Sequence, residues 1–367
     1  MKKFVFIQNK HGAIHEVEAD RVPELLKKGF KLVDVSHSDL PEYQVRTKVG
    51  FMFTQQPQYA YDGYGRLVRY IASKLEPKQD SNKQLLFGIP SEAKKENGVE
   101  KQVLLTMFEA DRIPQRRVEI CNQYYDHLIV PSEFCVQVFK KCGVTIPITK
   151  IPLFTTEFEV FGVPDGPFTF AHQNALVEGA QKGWDITIRA FLHLFAGKDD
   201  VRLLLKAREH HWANVQWYYD ALKQAKNVEI ITKNYTDYEM HYNFYKNIHA
   251  FVFPSRGEGW GLPPLEAMAH GIPTILTRAH SHTEFSRMGV EVDVVGSSYS
   301  FYVGRVFDSG VGMWVEPNIE TLEKKMLDVY ENYKFHKERA VDNAKTIKKE
   351  LNGDIFIKRL VDFMDSL

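Results

Sequence analysis

Two kinds of segment alternate along most of this chain. From about residue 47 onward, short continuous apolar runs bounded by turn signals are followed by longer amphipathic segments. Continuous apolar runs are typical of parallel strands covered on both faces. The predicted strands form two sets, Gly50–Thr54, Gln84–Ile89, Val103–Phe108, His127–Pro131 and Thr149–Leu153, and then Phe168–Ala171, Val201–Lys206, Val228–Thr232, Ala250–Pro254 and Pro273–Leu276.

The amphipathic segments carry helix signals. Ser132 precedes one of them as a candidate N-cap, and Gly143 follows it as a candidate stop. The alternation of strands with helices predicts an α/β fold of two doubly wound, Rossmann-like domains in series. The predicted helices are Tyr64–Leu75, Pro114–Tyr124, Ser132–Lys141, Trp184–Phe195, Trp212–Lys223, Tyr238–Tyr245 and Pro264–His270, followed by a charged helical tail from Ile319 to Leu367.

The start of the chain has a different pattern. Phe4–Gln8 and Ile14–Val17 alternate around a turn at Lys10–Gly12, which predicts a hairpin. A helix from about Val22 to Gly29 and a third strand over Lys31–Val35 would complete a small ββαβ module. The run Val163–Pro167 has the composition of a linker. We therefore predict an accessory α+β module over 1–45, a first Rossmann-like domain over 46–163 and a second over 164–339, with a helix over 340–367 packing back on the first.

Composition narrows the class of protein. The 367 residues suggest about two to three domains, and 44% apolar with 26% charged residues is typical of soluble globular proteins. Lys+Arg and Asp+Glu both number 47, which argues against a global electrostatic grip on nucleic acid but leaves a local basic patch open.

Location is also constrained by the sequence. No apolar run approaches the ~18 residues that span a bilayer, and the N-terminus loses hydrophobicity too early for a signal peptide. The cysteines Cys121, Cys135 and Cys142 lack metal-ligand spacing and indicate reduced thiols. We expect a cytoplasmic protein without a transmembrane segment.

The strongest chemical signal lies between Phe251 and Thr274. A buried strand is followed by a turn that contains Gly257, Gly259 and Gly261, and then by a short helix that Pro263-Pro264 would begin. Backbone N–H groups of such a turn can approach a ligand closely, and a helix N-terminus attracts anions.

Two carboxylates flank this turn. Glu258 lies in the loop and Glu266 in the first part of the helix. An ionised carboxylate accepts two hydrogen bonds, and a vicinal diol donates two. The arrangement therefore suits a nucleotide-sugar, with ribose on one carboxylate, the sugar on the other and the phosphates between them.

Here the chain resembles the retaining, family 4 type glycosyltransferases of the GT-B fold (glycosyl transferases group 1). The resemblance rests on Glu258-Gly-Trp-Gly-Leu-Pro-Pro-Leu-Glu266, which matches their Glu-x7-Glu signature, with Pro254-Ser255 before it and Glu-Ala-Met-Ala-His-Gly-Ile-Pro273 after it. It implies two Rossmann-like domains facing across a cleft, with Glu266 on the donor ribose and Glu258 catalytic beside the transferred sugar. It also places in the donor-binding loop Arg256, Gly257, Gly259, Trp260, Gly261 and Leu262.

The same resemblance assigns a phosphate contact. Many family members have Arg-Lys-Gly where this chain has Gln181-Lys182-Gly183, which makes Lys182 the candidate for the donor diphosphate. A cation there would stabilise the charge on the leaving group. The usual arginine is missing, and Lys206 or Arg256 would have to fill the gap. A solvent-facing lysine at a helix start remains the alternative interpretation of Lys182.

Three further sites follow from the resemblance. Gly63 and Gly65 resemble the glycine-rich loop that faces the donor phosphates, although a plain tight turn fits equally well. Glu109 and Asp111 end a predicted strand where a catalytic or acceptor-facing residue is expected, with a helix-cap ion pair between Asp111 and Arg112 as the alternative. Glu284 lies where relatives have a loop on the donor sugar.

Neither a metal nor a bound cofactor is expected. The implied fold does not generally use a metal for catalysis, and the histidine pairs His210-His211 and His280/His282 are interpreted as solvated loop residues. The only small molecule required is the nucleoside-diphosphate sugar itself.

The hypothesis from the sequence is a retaining, metal-independent glycosyltransferase. It would use a UDP- or GDP-sugar and an unspecified acceptor, which is a glycan, a lipid, a protein or a modified DNA base. The alternatives are a nucleotide-sugar epimerase of the same architecture, a glycosidase using Glu258 and Glu266, and a non-catalytic glycan- or nucleic-acid-binding module. The sequence does not specify the oligomeric state.

Overall fold

The computed structural model describes most of the chain in two compact units. One unit contains residues 1–49 and 69–76, and the other contains residues 50–68 and 77–367. The described residues are 4–8, 14–18, 31–32, 47–55, 63–78, 81–95, 97–156, 158–175, 180–207, 222, 225–233, 235, 239–300 and 312–367.

The first unit contains a three-stranded antiparallel sheet in the order β2-β1-β3. Its strands are β1 (Phe4–Gln8), β2 (Ile14–Glu18) and β3 (Lys31–Leu32). Phe4 lies opposite Glu18 in the hairpin, so the predicted hairpin is confirmed. The helix predicted over 22–29 lies outside the described residues. A separate two-stranded sheet pairs β4 (Thr47–Val49) with β6 (Leu75–Pro77).

The second unit begins with a five-stranded parallel sheet, here called the first sheet, in the order β10-β9-β8-β7-β5. Its middle strands are almost entirely buried, as the continuous apolar runs predicted. Ser132 caps the third helix through its hydroxyl, which accepts from the backbone N–H of Cys135 at 3.1 Å. The elements are β5 (Met52–Gln55), α1 (Gly63–Lys74), β7 (Lys83–Phe87), β8 (Lys101–Leu105), α2 (Gln115–Tyr124), β9 (His127–Val130), α3 (Glu133–Lys141) and β10 (Ile148–Lys150).

A six-stranded parallel sheet, the second sheet, follows in the order β13-β12-β11-β14-β15-β16. The chain builds outward from β11 on one side and from β14 on the other, so the strand order reverses between these two neighbours. Ligands of open α/β sheets bind at the carboxyl ends of the strands at such a switch point. The elements are β11 (Phe168–Ala175), α4 (Trp184–Phe195), β12 (Val201–Ala207), β13 (Val228–Ile231), β14 (Ala250–Phe253), α5 (Leu262–Ala269), β15 (Thr274–Thr277) and β16 (Val290–Val292).

Two predicted helices of this region are described only in part. Trp212–Lys223 lies largely outside the described residues. Tyr238–Tyr245 is helical as predicted where it is described, but Met240–Phe244 forms a π-helix that passes into a 3-10 turn at Tyr245–Asn247.

The rest of the chain adds a hairpin and a helical tail. The hairpin of β17 (Val294–Tyr299) and β18 (Met313–Pro317) was not predicted. The predicted helical tail is confirmed as α6 (Ile319–Glu331), α7 (Tyr333–Glu350) and α8 (Gly353–Ser366). Within the described residues, no helix combines the length and the apolar character needed to cross a membrane.

Helix α8 lies against the first sheet. The rings of Phe356 and Phe154 are 4.7 Å apart, and those of Phe363 and His127 are 4.8 Å apart. Lys83 donates from Nζ to the carbonyl of Met364 at 2.9 Å. The domain boundaries drawn from the sequence stay a prediction.

Candidate active site

The loops that follow β11 and β14 meet at the switch point of the second sheet. The N–H of Arg256 donates to the carbonyl of Gln181 at 2.7 Å. Gly183 has φ of 74° and lies so close to the other loop that an added Cβ would be 2.0 Å from the carbonyl oxygen of Pro254. The two motifs found in the sequence, around Lys182 and around Glu258, are therefore joined into one site.

A largely buried group of charges forms the centre of this site. Lys182 Nζ lies 2.7 Å from Glu258 Oε1 and 3.6 Å from Glu109 Oε1. The Ser255 hydroxyl donates to the same oxygen of Glu258 at 2.9 Å. The amide of Gln181 donates to Glu109. The structure thus brings together three of the predicted catalytic residues, and we call Lys182, Glu258 and Glu109 the Lys182 cluster.

Burial and mutual charge shift the proton affinities within the Lys182 cluster. Burial raises the pKa of Glu109, and the nearby Glu258 raises it further, against the opposing influence of Lys182 and Gln181. Burial disfavours the Lys182 ammonium, but the two carboxylates outweigh it and raise its pKa above the usual value. Lys182 is therefore a cation near pH 7. Its two ion pairs and its side-chain exposure of 17% contradict the interpretation of a solvent-facing lysine.

Glu266 is buried on α5, and protein groups contact both of its carboxylate oxygens. The guanidinium of Arg66 donates to Oε1, and the hydroxyl of Tyr245 donates to Oε2 at 3.0 Å. Tyr245 is itself fully buried, and burial together with the Glu266 charge raises its pKa well above the usual value. The carboxylate is thus held in one orientation by a cation and a neutral phenol.

The glycine turn packs against the protein more closely than the sequence suggested. An added Cβ at Gly257 would lie 2.3 Å from the carbonyl oxygen of Glu109, and one at Gly259 would lie 2.7 Å from Met107 Cγ. Gly261 has φ of 102° and faces His282. Gly257 and Gly259 permit contact with the segment after β8, and Gly261 permits contact with His282. Their expected contact with a ligand stays a prediction.

The N-terminus of α5, beside the glycine turn, has few backbone N–H donors. Leu262 begins α5, and the next two residues, Pro263 and Pro264, carry no backbone N–H. Trp260, which was predicted to bind the donor, is 1% exposed and packs against Phe285 at 5.4 Å between ring centroids. Cationic side chains, rather than this helix end, are therefore the main source of positive charge in the site.

The interpretation of His280 and His282 as solvated residues is wrong. His282 is 1% exposed, and burial lowers its pKa to about 3. The ring of His280 lies 4.5 Å from that of Phe134, and burial lowers its pKa to about 4. Both are neutral near pH 7. His210-His211 lies outside the described residues, and the part of the chain that the structure describes contains no group of three or more metal-ligating side chains.

Two cations that were expected to complete a phosphate clamp have other partners. Arg256 pairs with Asp185, Glu316 and the carbonyl of Ala180, which together take all five guanidinium N–H groups. Lys206 is buried and donates to the carbonyl of Ala207 at 2.9 Å. Neither side chain joins the Lys182 cluster in this structure.

Asp111 and Glu284 also lie apart from the cluster. Asp111 accepts from the backbone N–H of Met313 at 2.7 Å. It does not cap α2, whose N-cap is Pro114, so the helix-cap alternative is wrong. Glu284 accepts from the N–H of Glu133 at 2.7 Å and pairs with Lys150 at 3.2 Å. Both carboxylates join segments that follow different sheets.

Arg66 and Tyr245, two residues that contact Glu266, were not assigned to the site from the sequence. Gly63 and Gly65 lie in the first turn of α1, and Arg66, which follows them, reaches Glu266. Arg66 had a visible signal, because it is the only cation of the glycine-rich stretch Asp62–Arg66. Tyr245 had none, because nothing distinguishes it from the other aromatic residues of its segment.

The part of the chain that carries most of this site is similar in sequence to known proteins. The family model of glycosyl transferases group 1 matches residues 154–347. A stretch of 49 residues is 43% identical to the lipopolysaccharide core biosynthesis mannosyltransferase LpsB of Rhizobium meliloti (strain 1021), covering 13% of this chain and 14% of that protein.

Solved structures share the fold at low sequence identity. HepE of Anabaena, in complex with UDP and glucose, has a TM-score of 0.61 at 11% identity, covering 88% of this chain and 100% of that one. S. aureus TarM has a TM-score of 0.60 at 13% identity, covering 81% of this chain but only 58% of its own. Sucrose-phosphate synthase of Thermosynechococcus elongatus has a TM-score of 0.56 at 13% identity, with 86% and 73% covered. These similarities establish the predicted GT-B fold.

Proposed function

This chain belongs to the glycosyl transferases group 1 family, and we propose that it transfers a sugar from a nucleoside-diphosphate sugar to an acceptor. The observation that carries the proposal is the Lys182 cluster, which places a buried cation between two carboxylates at the switch point of the second sheet. A cation for phosphates and carboxylates for hydroxyl groups are the contacts that an activated sugar needs.

We assign the donor contacts by chemistry. Glu266 accepts from the ribose hydroxyls, and Glu258 accepts from hydroxyls of the transferred sugar. Lys182 neutralises the diphosphate as it leaves. In this structure each of these groups is already satisfied by a protein partner. Donor binding therefore exchanges one set of buried polar contacts for another, which avoids leaving a charge unpaired.

We propose a retaining reaction without a protein nucleophile. The bond between the anomeric carbon and the phosphate oxygen breaks, and the bond to the acceptor oxygen forms on the same face of the sugar. The acceptor hydroxyl gives its proton to the departing phosphate oxygen. Glu109 then orients the acceptor hydroxyl or the leaving group, and its raised pKa suits a hydrogen-bonding role near the diphosphate. The chain's own cations, rather than a metal, would balance the charge.

The donor and the acceptor are assigned to different parts of the chain. We propose that residues 164–339 bind the donor, that residues 46–163 bind the acceptor and that residues 1–45 form an accessory module. UDP is the first nucleotide to test, because HepE and TarM are both described in complexes with UDP. GDP is the second, since the sequence does not distinguish a UDP-sugar from a GDP-sugar. The acceptor class, whether glycan, lipid, protein or modified DNA base, stays open.

A thermal-shift panel of UDP, GDP and their sugars tests the proposal. A ligand at about a hundred times its dissociation constant stabilises the folded protein by roughly 2.7 kcal/mol. Glu266→Gln should abolish most of the shift, whereas Glu331→Gln, an exposed carboxamide control, should leave it intact. The proposal fails if no member of the panel stabilises the wild-type protein.

Product analysis separates the alternatives. Incubation with the donor sugar alone should release free nucleoside diphosphate slowly, because water replaces the acceptor. Chelation with EDTA should not change that rate. An epimerised nucleotide-sugar would identify an epimerase instead, and binding without any turnover would identify a non-catalytic module.

A further inference from the structure

The described site has too little positive charge for a diphosphate if Lys182 acts alone. Its acidic side chains are Glu109, Glu258 and Glu266, and Lys182 is already shared by two of them. A nucleoside diphosphate brings at least two more negative charges to these largely buried side chains. Burying an anion without a paired cation is strongly unfavourable. A second cation must therefore act on the donor.

We propose that Arg66 is this second cation and that it binds the donor diphosphate opposite Lys182. The inference rests on the proposed function and adds a binding residue to it. Arg66 contacts the carboxylate of Glu266, on which the donor ribose is expected. Its side chain is 23% exposed, so the guanidinium lies at the edge of the site rather than in the core.

The two cations that were expected to complete the phosphate clamp contact other groups in this structure. Arg256 has all of its guanidinium N–H groups on Asp185, Glu316 and a backbone carbonyl. Lys206 donates to its neighbour's carbonyl and lies 5.4 Å from the ring of Tyr235. Arg66 differs, because its partner Glu266 is a group that the donor itself would engage.

Local geometry supports this role. Arg66 lies in the first turn of α1, directly after Gly63 and Gly65, where the backbone has little side-chain bulk. The ribose and the diphosphate are adjacent parts of one ligand. When ribose hydroxyls take over Glu266, the guanidinium can exchange its contact with that carboxylate for the neighbouring phosphates. A guanidinium also matches two phosphate oxygens at once, which a lysine cannot do.

The two proposed diphosphate-binding cations follow strands of different sheets. Lys182 follows β11 of the second sheet, whereas Arg66 follows β5 of the first sheet. A diphosphate held by both would link the segments that follow the two sheets. Arg66 would then provide from the first sheet the cation that the motif Gln181-Lys182-Gly183 lacks.

Calorimetric titration of three variants with two kinds of ligand tests the assignment. The ligands are a nucleoside (uridine or guanosine) and its diphosphate (UDP or GDP), and the variants are Arg66→Ala, Arg66→Lys and the exposed control Arg69→Ala on the same helix. Loss of a charge-assisted contact should weaken diphosphate binding about 10- to 100-fold in Arg66→Ala. Nucleoside binding should stay equal or improve, because Glu266 loses a competing partner. Arg66→Lys should recover part of the diphosphate affinity, and Arg69→Ala should match the wild type.

Each other outcome is decisive. Undiminished diphosphate binding by Arg66→Ala overturns the assignment, and so does an equal loss for nucleoside and diphosphate, which would mark a structural role. Tighter binding of both ligands would show that Arg66 only occupies Glu266. If the wild-type protein binds neither UDP nor GDP, the proposed function fails first.

Discussion

Removal of the cation from the Lys182 cluster is the sharpest test of the site's electrostatics. In Lys182→Met the apolar part of the side chain remains, but Glu258 loses an ion pair of 2.7 Å and Glu109 one of 3.6 Å. The carboxylate side chains are 7% and 30% exposed, so water replaces the lost partner poorly at Glu258. Breaking a buried ion pair costs about 3–5 kcal/mol, and the partial exposure of Glu109 places the expected loss near the lower figure, about 3 kcal/mol.

The loss in the free energy of unfolding caused by Lys182→Met should grow as pH rises. Burial already raises the pKa of Glu109, and loss of the opposing Lys182 cation raises it further above the unfolded value. Such a group keeps its stability below the unfolded pKa of about 4.5 and loses it as pH rises through the folded pKa. The difference between Lys182→Met and the wild type should therefore be small at pH 4.5 and large at pH 8.

Urea unfolding followed by tryptophan fluorescence measures this difference, since Trp260 and Trp314 are buried near the cluster. Lys334→Met, which alters an exposed lysine, should stay within about 0.5 kcal/mol of the wild type. The double variant Lys182→Met/Glu258→Gln should recover part of the loss, because one uncompensated charge is gone. A Lys182→Met protein as stable as the wild type at pH 8, or strictly additive losses in the double variant, would refute the reasoning.

Three further predictions follow from packing and protonation. Gly257→Ala should cost at least about 1–3 kcal/mol in urea unfolding, because its Cβ would overlap neighbouring atoms, whereas Gly296→Ala, with open space around it, should cost far less. Arg256→Lys should lower the melting temperature by several degrees in calorimetry, since the three donors of a lysine ammonium cannot replace the five guanidinium N–H contacts to Asp185, Glu316 and the carbonyl of Ala180; an unchanged melting temperature would contradict this. Burial lowers the folded pKa of His282 to about 3 and that of His172 to about 4, so the stability from both should be complete above pH 6.5 and lost as pH falls through 4. Circular dichroism against pH checks this, and a flat profile between pH 6.5 and 3.5 would contradict it.

The strand pattern of both parallel sheets was predictable because burial on both faces leaves continuous apolar runs. The strand at Ala250–Phe253 is buried at every position, and its run in the sequence ends at the same place within one residue. The hairpin strand Val294–Tyr299 was missed for the opposite reason. It is exposed along nearly its whole length, and Gly296-Ser297-Ser298 shows neither an apolar run nor alternation.

The site was predictable only where its residues lie in a recognisable local motif. The turn between Glu258 and Glu266 carries its glycines and carboxylates in one stretch, so its composition alone marks it. Arg66 lies 200 positions from Glu266, and no local pattern encodes which helix will reach that carboxylate. The close fit of Gly257 against Glu109 is likewise a property of the packed fold, and it gives those glycines a steric reason that the sequence could not distinguish from ligand contact.

The packing of α8 on the first sheet bears on how the chain acquires its fold during synthesis. The amine of Lys83 is anchored to a carbonyl 281 positions later, and the fully buried Leu360 and Met364 belong to the same helix. A ribosome that has released only the five strands of the first sheet has produced a layer whose covering helix does not yet exist. Such a nascent intermediate exposes apolar surface for as long as translation of the intervening second sheet lasts, and it is the stage at which chaperone dependence should be greatest.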